Sequence, residues 1–80
     1  MDSKMKRLTV QYYAVFREQR GLHEETLDTD AHTAADLYRE LGLSLSPDLV
    51  RVSINLQFKP LDSPLTTGDT VVFIPPVAGG

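Results

Sequence analysis

The sequence predicts an α+β domain in which a small sheet packs on one main helix and an extended tail follows the last strand. Three observations carry this. Residues 6–13 and 50–56 alternate apolar with polar side chains, the two-residue period of a strand with one buried face. Residues 34–41 hold a short amphipathic stretch with its own start and stop signals. Residues 71–74 form an apolar run that breaks at Pro75-Pro76. Eighty residues hold one domain, with no repeat and no linker to suggest another. A chain of this size buries only about 60% of its unfolded surface, and the 41% hydrophobic content is enough for such a core.

Residues 1–5 read as a disordered lead-in and residues 6–74 as the folded domain. In the first strand Leu8, Val10 and Tyr12 share the buried side, while Thr9, Gln11 and Tyr13 face away. Residues 14–20 have weaker helical character, stopped by Gly21. Residues 24–28 are polar apart from Leu27, which suits an edge strand whose charges discourage pairing with another chain.

The main helix spans 34–41. Thr33 caps it, Asp36 complements its positive end, and Leu37, Tyr38 and Leu41 line one face until Gly42. Residues 44–48 read as loop. Val50, Val52, Ile54 and Leu56 then share one side of a second clear strand, and Phe58 fits a short edge strand limited by Pro60. Residues 62–64 and 67–69 are turns, the second carrying Gly68, with Asp69 there for turn chemistry. Residues 70–74 make the last strand. Its continuous Val71-Val72-Phe73-Ile74 run implies cover on both faces, from the fold or from a partner.

Composition removes several classes of function. A net charge of −3 and a pI near 5.1 argue against a general nucleic-acid binder. No apolar run approaches the length of a membrane span, and no apolar segment follows the charged residues 1–7 as in a signal peptide. A cytoplasmic protein is expected. The absence of cysteine excludes disulfides, thiolate metal sites and a cysteine nucleophile. His23 and His32 sit among polar residues and read as surface side chains, so no metal site and no bound cofactor are expected. The chain fits a helper or binding module better than an autonomous enzyme.

One helix covers one face of a sheet. If Val71 and Phe73 face it, then Val72, Ile74 and Tyr13 lie on the open side, where an apolar patch marks a protein interface unless loops cover it. The segment 75–80 is Pro-Pro-Val-Ala-Gly-Gly. Prolines cannot join the ladder and hold the chain extended, and six residues reach roughly 20 Å at about 3.3–3.6 Å each. Such a tail can place the α-carboxylate of Gly80 inside a partner's pocket. Gly79 and Gly80, lacking Cβ atoms, thread a narrow channel and leave the carboxyl carbon open. A carboxylate must be activated before it reacts, most simply as an acyl-adenylate made with ATP by another enzyme. A lysine amine as nucleophile would make the protein a covalent tag. A sulfur nucleophile would make it a thiocarboxylate sulfur donor. The bland alternative is a glycine-rich end without chemistry.

The segments Tyr12-Tyr13-Ala14-Val15-Phe16-Arg17-Glu18-Gln19-Arg20-Gly21 and, from Pro64 to Gly80, PLTTGDTVVFIPPVAGG resemble the opening and closing signatures of the small, sulfur-carrying subunits of molybdopterin synthase. The closing block is the more specific of the two, and the resemblance covers residues 6–80. It implies a β-grasp (ubiquitin-like) fold with a mixed sheet. It also implies that an ATP-dependent activating enzyme adenylates Gly80, that a sulfur-donor system converts it to a thiocarboxylate, and that the tail Pro75, Pro76, Val77, Ala78 and Gly79 enters the large catalytic subunit. There the carrier would give sulfur to a pyranopterin precursor, in a heterotetramer of two large and two small subunits. The catalytic groups belong to the large subunit; ATP is used by the activating enzyme, not held by this chain.

Tyr13 and Ile74 match family positions that contact the large subunit, and Val72 joins them on the open face. Arg17 matches the opening motif's arginine, with positioning of the tail, a partner acid or an ordinary surface salt bridge as its alternatives. Leu56 departs from the family, which more often has a polar residue after the asparagine, and Lys59-Pro60 disturbs the short strand. Two rivals stand beside this reading: a sulfur carrier of thiamine thiazole synthesis, and a modifier joined to lysines through Gly80.

Overall fold

The computed structural model describes residues 5–76. Five strands form one sheet in the order β2-β1-β5-β3-β4, with β1 Lys6–Tyr12, β2 Glu24–Thr29, β3 Arg51–Ile54, β4 Gln57–Lys59 and β5 Thr70–Ile74. β1 and β5 run parallel at the centre, and every other pairing is antiparallel. The sheet is therefore mixed, and β2 and β4 are its edges, as their polar or proline-limited sequences predict.

Helix α2, Ala34–Leu41, covers one face. The Thr33 hydroxyl accepts from the Asp36 N–H at 3.1 Å, and Gly42 closes the helix at φ 67°, where a glycine is least strained. Ala34, Leu37 and Tyr38 are buried against Leu8, Val10, Val52, Ile54, Val71 and Phe73. Burial of a side chain such as Leu37 contributes about 1.5–3 kcal/mol. The Tyr38 hydroxyl donates to the Leu45 carbonyl, so its polar atom is satisfied at the core's edge.

The short helix α1, Val15–Arg20, adds Phe16 to the same core, where its ring meets Tyr38 edge-to-face at 5.9 Å. Tyr12 is buried, and its hydroxyl donates to Glu25, which Arg20 also grips at 2.7 Å. These three tie α1 and β2 to the end of β1.

Two local expectations are corrected. Residues 47–49 form a single 3-10 turn, Pro47–Leu49, begun by a proline whose missing N–H costs nothing there. Leu56 is not the last apolar residue of β3. Asn55 and Leu56 both have positive φ, 54° and 72°, and make the tight β3–β4 turn that leaves Leu56 92% exposed. Asn55 holds that turn: its amide donates to Asp69 at 2.8 Å and its side-chain oxygen accepts from the Thr70 N–H.

Candidate functional site

The base of the tail is built by the central strand. β5 is hydrogen-bonded on both sides, Phe73 facing Tyr12 of β1 and Val52 of β3, so its last residue leaves the most constrained part of the sheet. Ile74 stands opposite Arg51 and is half-buried; Pro75 is half-buried and Pro76 exposed. Neither proline can donate a ladder hydrogen bond, so pairing stops here and the chain departs from the sheet. Val77, Ala78, Gly79 and Gly80 lie outside the described residues, as does most of the expected lead-in.

Tyr13 follows the β1 residue paired with Phe73 and lies at the same end of the sheet as Ile74. It is 44% exposed, and the Arg17 guanidinium carbon lies 5.9 Å from its ring centroid. This stacking gives Arg17 a defined place beside Tyr13. Arg17 enters none of the ion pairs among the described residues, so the salt-bridge alternative does not describe it. Ala14 sets the angle between the strand and α1 at φ 54°, ψ −123°, a conformation that glycine adopts more easily.

Val72 requires a correction. Alternation places it on the face away from α2, yet it is only 6% exposed. Gln11 and Ser53 flank it across the two neighbouring strands, and Gln11 is held in turn by Glu24 at 3.1 Å. A central strand is covered by its neighbours even on an open face. Val72 is part of the packing, and it does not join Tyr13 and Ile74 in an exposed patch.

Sequence reasoning missed three residues at this site. Phe58 pairs with Ser53 and is 68% exposed on the open face. Leu49 is exposed too, and with Arg51, Phe58, Ile74, Pro75 and Pro76 it lines a depression of about 500 Å³ at the root of the tail. The pairing of Phe58 with Ser53, and of Ser53 with Val72, was the available signal. It required the strand register as well as the pattern within each strand. The structure thus gathers Ile74, Phe58 and Leu49 around the root of the tail, with Tyr13 at the same end of the sheet. Such an apolar surface suits a protein partner better than a small substrate. Among the described residues, no group of three acidic or histidine side chains could hold a metal ion, and no helix is long and apolar enough to cross a membrane.

Fold and tail base together define a ubiquitin-like β-grasp protein. The chain belongs to the ThiS family, whose profile matches residues 10–80. It is 34% identical over 80 residues to the molybdopterin synthase sulfur carrier subunit of Haemophilus influenzae, covering 91% of this chain and 99% of the relative. The HVO 2177 protein of Haloferax volcanii superposes with a TM-score of 0.81 at 27% identity, covering 100% of this chain and 92% of that one. Two more distant structures share the fold. Small archaeal modifier protein 1 of H. volcanii has a TM-score of 0.74 at 20% identity, over 90% of this chain and 99% of its own. A chain of the complex of subunits 1 and 2 of the molybdopterin-converting factor from Helicobacter pylori gives 0.59 at 24%, over 92% and 99%.

Proposed function

We propose that this protein is the sulfur carrier of molybdenum cofactor biosynthesis, with the Gly80 carboxylate as its reacting group. The observation that carries the reading is the tail base: a central strand delivers Pro75-Pro76 out of the sheet beside an exposed apolar patch. The relative named as a molybdopterin synthase sulfur carrier, aligned over nearly all of both chains, supports the choice of pathway.

In this reading an activating enzyme joins the Gly80 carboxylate to the α-phosphate of ATP, releasing pyrophosphate. A sulfur nucleophile from a donor system then displaces AMP and leaves a thiocarboxylate. The tail, residues 75–80, enters the large subunit of molybdopterin synthase, with Tyr13, Arg17 and Ile74 at the interface. Sulfur passes to the pterin precursor, hydrolysis returns the carboxylate, and a dithiolene needs two such turnovers. The chain binds no cofactor of its own and works in the cytoplasm.

Intact-mass spectrometry after incubation with ATP, a matching activating enzyme and a sulfur donor tests this. The expected result is a mass gain equal to replacement of one oxygen by sulfur, abolished by deletion of Gly80. Addition of the large subunit and the pterin precursor should then discharge it. A stable thiocarboxylate that discharges only with thiazole-forming components would move the carrier to thiamine synthesis. Lysine conjugates lost on deleting Gly79-Gly80, with no mass gain, would make it a modifier.

A further inference from the structure

Arg51 and Phe58 line two adjoining depressions at the β3–β4 edge. One, of about 350 Å³, adds Lys59 and Leu61; the other, of about 500 Å³, runs on to Ile74 and Pro76. Sharing Arg51 and Phe58, they form a mostly apolar channel in two adjoining parts, one at the sheet edge and one at the root of the tail. Its two cations have no acidic partner among the described residues. The ion pairs among the described residues are Arg7–Asp28, Arg20–Glu25 and Arg39–Asp36, and neither Arg51 nor Lys59 enters one. Asp48, the acid nearest Arg51 in sequence, is engaged by the Ser46 hydroxyl. Glu24, Glu25 and Asp28 lie on β2, at the far edge of the sheet.

A protein that holds the tail must also cover Pro75 and Pro76, and so must pass over the channel that begins there. Covering Arg51 and Lys59 without counter-charges would strand two cations away from water, which costs more than any apolar contact nearby returns. We propose that the tail-receiving partner lays an acidic segment into this channel. Its carboxylates meet Arg51 on the open face and, where the segment turns over the β4 edge, Lys59, which pairs with Val52; an apolar side chain beside Arg51 rests on Phe58. A free inorganic anion would match the cations but leave the apolar lining unused. The inference rests on the reading of the chain as a carrier whose tail enters a partner, and it adds the chemistry of the partner's docking segment.

The double variant Arg51→Gln/Lys59→Gln, compared with the wild type for binding to the molybdopterin synthase large subunit at low and high salt, tests it. Both side chains are exposed, so the thermal melt should be unchanged. The expected loss is roughly five- to tenfold in affinity at low salt, mostly in association rate, with a flatter salt dependence. The control Arg7→Gln/Arg39→Gln removes the same charge elsewhere and should keep the wild-type salt slope. Equal affinity and slope for the channel variant and the wild type, or equal losses in channel and control variants, would overturn the proposal. If the wild type does not bind the large subunit, the synthase reading fails, and the same comparison with the activating enzyme decides the channel. Binding to neither overturns both.

Discussion

The rings of Tyr38 and Phe73 meet edge-to-face, with centroids 5.2 Å apart and planes inclined at 65°. Helix α2 thus grips the tail-bearing strand one residue before Ile74. Phe73 is fully buried, and its removal leaves a cavity that the paired strands cannot collapse. Phe73→Ala should destabilise the domain by about 3–5 kcal/mol, whereas Phe73→Leu should cost under about 1.5 kcal/mol. Urea denaturation with constant slope would check both. A small loss for Phe73→Ala would mean that α2 does not anchor β5.

Leu56 occupies the left-handed region at φ 72° with its side chain in water. A left-handed non-glycine residue costs roughly 1–2 kcal/mol, and Leu56 buries nothing to offset it. Leu56→Gly should therefore stabilise the protein by about 0.5–1 kcal/mol, less than the full strain because glycine also frees the unfolded chain. Asn55→Ala should do the opposite, losing the hydrogen bonds to Asp69 and Thr70 at a residue that also has positive φ. Thermal melts of the two variants should move in opposite directions.

This turn also shows what the sequence could tell. Helix α2 was legible to the residue because Thr33 and Gly42 are local signals acting on their own neighbours. The edge strands were legible through Leu27 alone among polar residues and through Pro60. Leu56 was not, because it continues the apolar alternation of Val52 and Ile54, and alternation does not report the sign of φ. Val72 and Phe58 escaped for a related reason. Period-2 patterning says which face a side chain takes, while its cover depends on register with Gln11 and Ser53, far away in sequence. The tail base was legible at Ile74-Pro75-Pro76; the channel beside it, assembled from Leu49, Arg51 and Phe58, was not.

Tyr12 and Tyr38 should make the fold sensitive to alkali. Burial is the main force raising both phenols, and for Tyr12 the hydrogen bond to the Glu25 carboxylate adds to it. In the unfolded chain tyrosines ionise near a pH of about 10, while the folded chain holds these two neutral to higher pH. Their contribution is complete below that pH and declines as pH rises above it, because only the unfolded state releases the protons. Stability followed by urea titration should fall from about pH 10 upward, and Tyr12→Phe should flatten the decline. An identical alkaline slope in Tyr12→Phe would separate Tyr12 from the effect.

Ile74 and Val72 are two residues apart on one strand and one face, yet substitution should affect them differently. Ile74 is half-buried at the end of β5, beside the departing prolines. Ile74→Asp places a charge where water can still reach it, so the melt should change little while binding to a tail-receiving partner weakens by tenfold or more (about 1.4 kcal/mol). Val72 lies in the middle of the same strand between Gln11 and Ser53 and is almost closed to solvent. Val72→Asp would bury an unpaired carboxylate and should cost about 3 kcal/mol or more, lowering the melt and abolishing binding through loss of fold. Val72→Thr, nearly the same shape with a hydroxyl, separates the two roles: its melt should drop modestly while partner affinity stays at the wild-type value. If Val72→Thr weakened binding as much as Ile74→Asp, Val72 would have to contact the partner directly, and the distinction between packed and exposed residues on this face would fail.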